Sequence, residues 1–198
     1  MKDLYELDQA ALEARLLEHV GSSTWPPVHT AIETAKRAHD GQMRKGSSEP
    51  YVMHPLRTAL ILWEVAEQRN PVVLCAGLLH DTLEDTDLSQ DEIDDDFGPQ
   101  VGDMVRALTQ PPLAEGEDRY ERNMKYLERL RWEGRDVQIV KSADRLDNVL
   151  TMEGVFDEAR RAEYLKESRE GLLPLTLACN TALYHALNEA LAAQGSTE

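Results

Sequence analysis

Ala76-Gly77-Leu78-Leu79-His80-Asp81-Thr82-Leu83-Glu84-Asp85-Thr86 is the stretch on which the reading of this chain turns. An apolar run, Val72 to Leu79, ends in a histidine that is followed by the acids Asp81, Glu84 and Asp85. Asn70-Pro71 upstream reads as an N-cap followed by proline at the first helical position. The stretch is therefore predicted to be a helix that starts buried and ends in a polar site. Along such a helix His80 and Glu84 are i,i+4 partners, as are Asp81 and Asp85, so each pair projects on one side. Histidine beside aspartate offers an imidazole nitrogen and a carboxylate oxygen to one metal ion, and the acids one turn later are placed to handle a water. The same residues also fit a helix end that simply becomes polar at the surface. Taken alone, the stretch leaves both readings open.

The totals narrow the classes. At 198 residues the chain is read as one domain with a short appendage, long enough for a substantial core. Apolar residues make up 41% and charged residues 29%, a balance that suits a soluble globule. No apolar run approaches the roughly 18 residues of a membrane span. The acidic, amphipathic start, Met1 to Glu6, does not read as a signal peptide. Cys75 and Cys179 both sit in apolar context, which predicts buried thiols and a cytoplasmic location. The formal charge of −16 argues against nucleic acid or anionic membrane as partners, because phosphate contacts need clustered Lys and Arg. A small phosphorylated ligand remains compatible where a few basic residues converge.

Helical periodicity runs through nearly the whole chain and strand signals are almost absent, so the expected fold is all-α. Residues 1–22 are expected to form an accessory helix ended by Gly21. Thr24-Trp25-Pro26-Pro27 introduces a helix to His39, and Gly41 to Pro50 forms a loop carrying Arg44 and Lys45. Pro55 suits the first position of the next helix, which puts His54 at its N-cap. Ser89-Gln90-Asp91-Glu92 reads as a capping box opening a short acidic helix that stops at Gly98. Further helices are predicted over about 99–109, 118–132 and 135–152. A long final helical region, about 157–192, is expected to bend near Gly171 and Pro174. Residues 23–193 form the main domain in this reading, and 194–198 a frayed end.

The polar residues that interrupt apolar patterns are His54, His80, Asp81 and Asp144. Two imidazoles and two carboxylates form a mixed N/O set suited to manganese, iron or zinc, and four protein ligands leave positions for water and substrate. They come from three separate helices, which places the site in the centre of a helical bundle. Within 135–152, Val140, Ala143, Leu146, Val149 and Leu150 make an apolar face. Lys141, Asp144, Asn148 and Thr151 recur at spacings of three, four and three, on one side of the helix.

Four separated segments carry a resemblance. They are Ala38-His39-Asp40-Gly41-Gln42-Met43-Arg44-Lys45, Glu49-Pro50-Tyr51-Val52-Met53-His54-Pro55-Leu56, Leu78 to Thr86, and Ala143-Asp144-Arg145-Leu146-Asp147-Asn148. In this order they resemble the hydrolase domain of the RelA/SpoT family, within the HD superfamily, over about residues 27–180. The shortness of the chain is similar to that of small standalone alarmone hydrolases of the metazoan SpoT homologue type. The resemblance implies an HD-domain helical bundle and a manganese-dependent 3′-pyrophosphohydrolase. Its substrate would be guanosine tetraphosphate or pentaphosphate, converted to GDP or GTP plus pyrophosphate. By matching motif, His54, His80, Asp81 and Asp144 hold the metal, and Glu84 and Asp85 orient or deprotonate the attacking water. Arg44, Lys45, Asn148 and Thr151 contact the nucleotide, with Lys141 and Tyr164 as further candidates.

The chain also departs from the pattern at Ser142, Asp147, Leu150 and Thr109-Gln110-Pro111-Pro112, which bears on the choice of nucleotide more than on the chemistry. Adenosine alarmones, NADPH as a 2′-phosphatase substrate and nucleoside monophosphates are the alternative substrates. A degenerate domain that senses a nucleotide without hydrolysing it is the alternative of another class, and Glu84 and Asp85 argue against it. A purely structural bundle would not need His and Asp at buried positions, where unpaired charge is costly. His39 is expected to make a structural hydrogen bond, Arg145 to pair with an acid, and Trp25, Trp63 and Trp132 to pack. The acids Asp91 to Asp96 are read as a solvated face. Nothing in the sequence addresses the oligomeric state.

Overall fold

The computed structural model of the chain describes residues 2–21 and 25–195. Among them the fold is all-α, with one isolated bridge, Met43 to Pro50, as the only extended pairing. The chain divides into two compact units, Met1–Thr109 and Gln110–Glu198. No helix among the described residues is long and apolar enough to cross a membrane.

In the first unit a 3-10 helix, Lys2–Glu6, precedes α1, Gln9–Val20. The predicted single helix is split because Asp8 caps α1, its carboxylate accepting the Ala11 N–H at 2.9 Å. Gly21 closes α1 at φ 75°, a conformation that glycine adopts without a Cβ penalty. There follow α2, Val28–Ala38; α3, Met53–Glu64; α4, Pro71–Leu79; α5, Thr82–Asp85; α6, Gln90–Phe97; and α7, Pro99–Leu108. Thr24 of the predicted lead-in to α2 lies outside the described residues.

The central element is α4. Asn70 caps it through the Val72 N–H and Pro71 follows, as the sequence predicts. Every residue from Val73 to Leu79 is buried, which fits a helix apolar on all sides. It packs against α2, α3 and α7, while α1 covers α3 with Leu12 and Leu16. This burial delivers His80 to the end of a rigid rod. Leu74→Ala is expected to lower the unfolding free energy by about 2–5 kcal/mol, because the site is enclosed and collapses poorly. Urea denaturation checks this; a change below about 1 kcal/mol would show that α4 is not the core element described here.

Two predicted boundaries move. α3 begins at Met53, so His54 lies inside the first turn and is not its N-cap. The chain already turns at Pro50-Tyr51, with the Met53 N–H on the Pro50 carbonyl and the His54 N–H on the Tyr51 carbonyl. Pro55 is still tolerated, because first-turn N–H groups have no partner within the helix. The helix of His80 also does not continue to Asp85. It ends at Leu79, and Asp81, at φ −98° and ψ −4°, starts the short α5. The Thr82 hydroxyl takes the Leu79 carbonyl at 2.7 Å, replacing the interrupted ladder.

The capping box of Ser89 and Glu92 and the stop at Gly98, φ 85°, match expectation. Both cysteines are buried and free. Trp63 packs, stacked with His19 and beneath Arg69, but Trp25 and Trp132 are 73% and 86% exposed, against their expected packing role.

The second unit holds α8, Arg119–Leu130; α9, Arg135–Leu150; α10, Glu158–Glu167; α11, Leu173–Cys179; and α12, Thr181–Gly195. α9 packs against α11 and α12 through Val140, Ala143, Leu146 and Val149, all fully buried, while Leu150 is only half-buried. The predicted long final helix is interrupted twice. A π-helical turn, Ser168–Leu172, falls at the expected bend and gives the ring of Pro174 room where a regular turn would clash. Asn180 leaves the helical region and its side chain caps α12 through the Leu183 N–H at 2.9 Å. Of the expected frayed end, 196–198 lie outside the described residues. Gln194 is anchored by the Val149 carbonyl and by Arg161.

Candidate metal centre and basic loop

Three side chains of the first unit converge. His54 Nε2 and His80 Nε2 lie 3.2 Å apart, and Asp81 Oδ2 lies 3.6 Å from the first and 3.2 Å from the second. Among the described residues they form a set whose donor atoms all lie within 4.8 Å of one another. His54 and His80 are 1% and 2% exposed. His54 comes from the first turn of α3, His80 from the end of α4, and Asp81 from the break that follows.

The break has a chemical consequence. The chain leaves the helix at His80, and its Nδ1 reaches the Gly77 carbonyl at 2.8 Å. A carbonyl only accepts, so Nδ1 carries a proton there, which leaves Nε2 as the nitrogen able to ligate a cation placed between His54 and Asp81. Orientation of a ligating imidazole through its other nitrogen is the usual arrangement at metal sites. Two imidazole nitrogens and one carboxylate oxygen, the imidazoles fully enclosed, fit a divalent cation of the manganese, iron or zinc type.

Tyr51 joins this set to the acids beyond it. Its hydroxyl donates to Asp81 Oδ2 at 2.6 Å and to Asp85 Oδ2 at 3.1 Å. The i,i+4 juxtaposition of Asp81 and Asp85 thus survives the helix break, since the Asp85 N–H bonds the Asp81 carbonyl. Burial, and then the charges of Asp81 and Asp85, push the Tyr51 phenol far above its ordinary pKa and keep it a donor. The residue Asp85 is solvent-exposed, but its carboxyl turns towards Tyr51. Partial burial, and then the Asp81 charge, raise its pKa. Glu84 is exposed on α5.

His39 makes the structural hydrogen bond expected of it, Nδ1 to Gln42 Oε1 at 2.8 Å, and stacks on Tyr51 at 4.5 Å. Burial lowers its pKa. Gln42 in turn donates to the Asp85 carbonyl at 2.8 Å. Tyr51 and Gln42 went unrecognised in the sequence as site residues, although both lie inside the quoted motifs. The signal was Tyr51 three residues before His54, a spacing that turns its ring towards the same centre once the chain coils early.

Arg44 and Lys45 lie on the loop between α2 and α3. Arg44 is half-buried with its guanidinium 5.6 Å from the Tyr51 ring centre, and Lys45 is exposed.

The remaining predicted residues belong to the second unit. Asp144 on α9 is 3% exposed and is held by Lys141 at 2.8 Å and by the Asn148 amide. Burial opposes the Lys141 charge, but Asp144 keeps its pKa above the ordinary value. The predicted polar stripe therefore exists as a bonded chain. Thr151 ends it differently, its hydroxyl capping the Asp147 carbonyl at 2.8 Å. Asp147 itself is fully buried. Tyr164 is half-buried with the Arg145 guanidinium 4.1 Å from its ring centre. Arg145 donates to Ser168 Oγ at 2.7 Å and stacks on Tyr164, where pairing with an acid was expected.

Comparison with known proteins accords with this geometry. A family model described as HD domain matches residues 31–170. A guanosine-3′,5′-bis(diphosphate) 3′-pyrophosphohydrolase of Aquifex aeolicus is 36% identical over 173 residues, covering 86% of this chain and 24% of that protein. A GTP pyrophosphokinase of Streptomyces antibioticus is 35% identical over 154 residues, covering 77% of this chain and 18% of that protein. The chain thus spans about a quarter or less of the length of these curated relatives. Among solved structures, a metazoan ortholog of SpoT, described as hydrolyzing ppGpp and playing a role in starvation responses, superposes with a TM-score of 0.77. It is 28% identical, with 87% of this chain and 99% of that chain covered.

Proposed function

The chain belongs to the HD-domain family, and on that premise we propose that it is a metal-dependent 3′-pyrophosphohydrolase of guanosine tetraphosphate and pentaphosphate. The observation that carries this reading is the convergence of His54, His80 and Asp81 with Asp85, tied to the same carboxylate through the Tyr51 hydroxyl. Support comes from a relative and a solved structure whose names state ppGpp hydrolysis. A second relative, of which the chain covers 18%, carries the name GTP pyrophosphokinase.

In this proposal His54, His80 and Asp81 hold the cation and Asp144 is the fourth ligand, with manganese as the ion. A divalent cation there supplies positive charge that neutralises phosphoryl oxygens and eases loss of a proton from water. The chain's own groups do the rest. Asp85, with Glu84 beside it, accepts the proton of the water that attacks the phosphorus bonded to the 3′ oxygen. The P–O3′ bond breaks, the departing 3′ oxygen takes up a proton from solvent to become a hydroxyl, and GDP or GTP separates from pyrophosphate. Tyr51 keeps Asp85 aimed by donating to it. Arg44 and Lys45 attract the anionic groups of the nucleotide, and Lys141, Asn148, Thr151 and Tyr164 line the nucleoside end. The HD phosphohydrolase domain proposed here is 23–193, and the partner is a small phosphorylated nucleotide in the cytoplasm.

Purified protein with manganese is expected to release pyrophosphate from guanosine tetraphosphate, and a chelator to stop it. Absence of release from a metal-loaded protein overturns the reading. Orthophosphate from NADPH under the same conditions would move the substrate to a 2′-phosphate, a shift to which the departures at Asp147 and Gln110 direct attention.

A further inference from the structure

The loop that carries Arg44 and Lys45 is closed on itself. The Arg44 N–H bonds the Glu49 carbonyl at 2.8 Å, the Tyr51 N–H bonds the Gln42 carbonyl at 2.9 Å, and Met43 pairs with Pro50. At its tip the Glu49 N–H rests on Ser47 Oγ at 3.0 Å. The base of this hairpin is tied to the Asp81–Asp85 segment through Gln42 and Tyr51, and its Glu49 end is tied to α3 by Arg57.

Arg57 is only 1% exposed, one turn beyond His54 on α3, and from Leu56 to Leu62 only the small Thr58 accompanies it among apolar side chains. Its guanidinium forks onto Glu49, Nη1 to Oε1 at 2.8 Å and Nη2 to Oε2 at 2.7 Å. Such a bidentate pair fixes both distance and orientation. The ring of Tyr5, in the 3-10 helix ahead of α1, lies 5.3 Å from the Arg57 guanidinium carbon. A buried arginine keeps its charge, and the two-pronged bond to Glu49 ties that charge to the loop in one orientation. Both carboxylate oxygens of Glu49 are also engaged by Arg57, on a loop that would otherwise set an acid beside two cations.

We propose that Arg57 and Glu49 form a clamp that positions the basic loop for an anionic ligand, with Tyr5 of the N-terminal segment covering the clamp. This rests on the reading of Arg44 and Lys45 as substrate contacts. Arg57 and Glu49 are then positioning residues that act through Arg44 and Lys45, and the N-terminal segment serves substrate binding as well as covering the core.

The test is steady-state hydrolysis of guanosine tetraphosphate by Glu49→Gln, Arg57→Lys and Arg44→Ala in the full chain at saturating manganese. Glu49→Gln keeps the shape of the side chain but loses its charge and half of the fork. It is expected to raise KM by roughly tenfold with kcat held within about twofold, since a displaced contact loses uniform binding. Arg57→Lys keeps the buried charge but not the fork, and is expected to raise KM in the same direction; it also serves if Glu49→Gln folds poorly. A melting temperature that falls while KM stays at the wild-type value overturns the clamp and leaves a structural ion pair. If Arg44→Ala raises KM but neither clamp variant does, the loop binds substrate without the clamp, and the inference fails alone. If Arg44→Ala also leaves KM unchanged, the reading of the loop as a substrate site fails and the clamp with it.

Discussion

Asp81→Ala is expected to abolish pyrophosphate release, by at least about a thousandfold in kcat/KM, since metal charge stabilisation is worth several kcal/mol at the transition state. The magnitude follows from how much converges on one carboxylate. Asp81 Oδ2 faces both imidazole Nε2 atoms and accepts the Tyr51 hydroxyl, which also reaches Asp85. Truncation therefore removes an oxygen donor from the metal set and the bond that ties Asp81 to the water-handling acid. Manganese affinity, followed by titration calorimetry, should fall more than about 100-fold, beyond the loss expected from disturbing an outer partner alone. His80→Ala should behave alike on the proposed role of its Nε2, since the Nδ1 bond to the Gly77 carbonyl turns that nitrogen towards His54 and Asp81. Unchanged manganese affinity in both variants would mean that the ion sits elsewhere.

The second large effect is expected at Asp85. Asp85→Asn should lower kcat by about 10²–10⁴ while leaving manganese affinity intact, the range for loss of a general base. Glu84→Gln is expected to move kcat less, since Glu84 lies exposed on α5. The raised pKa of Asp85 gives the pH dependence a sign. In the metal-free protein its base form appears at higher pH than for an ordinary aspartate, because burial and the Asp81 charge both disfavour the carboxylate. The folded protein holds the Asp85 proton more tightly than the unfolded chain, so this group's contribution is lost as pH rises through the folded pKa. Metal-free Asp85→Asn should then melt no lower than wild type near neutral pH. A variant that lost activity and melted well below wild type would point to a packing role instead.

Much of this architecture can be read from local chemistry in the chain. Asn70-Pro71, Ser89 with Glu92, and Gly98 each stop or start a helix with their own side chain or conformational freedom, so no distant contact is needed to place them. His54, His80 and Asp81 stand out as polar residues in apolar surroundings, and the structure brings these three together. The break between Leu79 and Thr82 is not legible, because no glycine or proline marks it. It depends on the Thr82 hydroxyl capturing a carbonyl that a continuous helix would use. Tyr51 escapes notice for a related reason. Its role rests on an early turn at Pro50 that the proline at position 55 disguises. Arg57 reads as an ordinary polar residue until Glu49 arrives from a loop eight residues earlier to neutralise it. The split at Asn180 is hidden by uninterrupted apolar periodicity on both sides.

In the proposed reaction, water attacks phosphorus at the 3′ position beside a histidine and aspartate metal centre. Turnover of guanosine tetraphosphate in ¹⁸O-labelled water with manganese, followed by mass spectrometry of both products, tests that directly. One labelled oxygen is expected in pyrophosphate and none in GDP. Label in the nucleoside product, or release of orthophosphate without pyrophosphate, would contradict the proposed reaction.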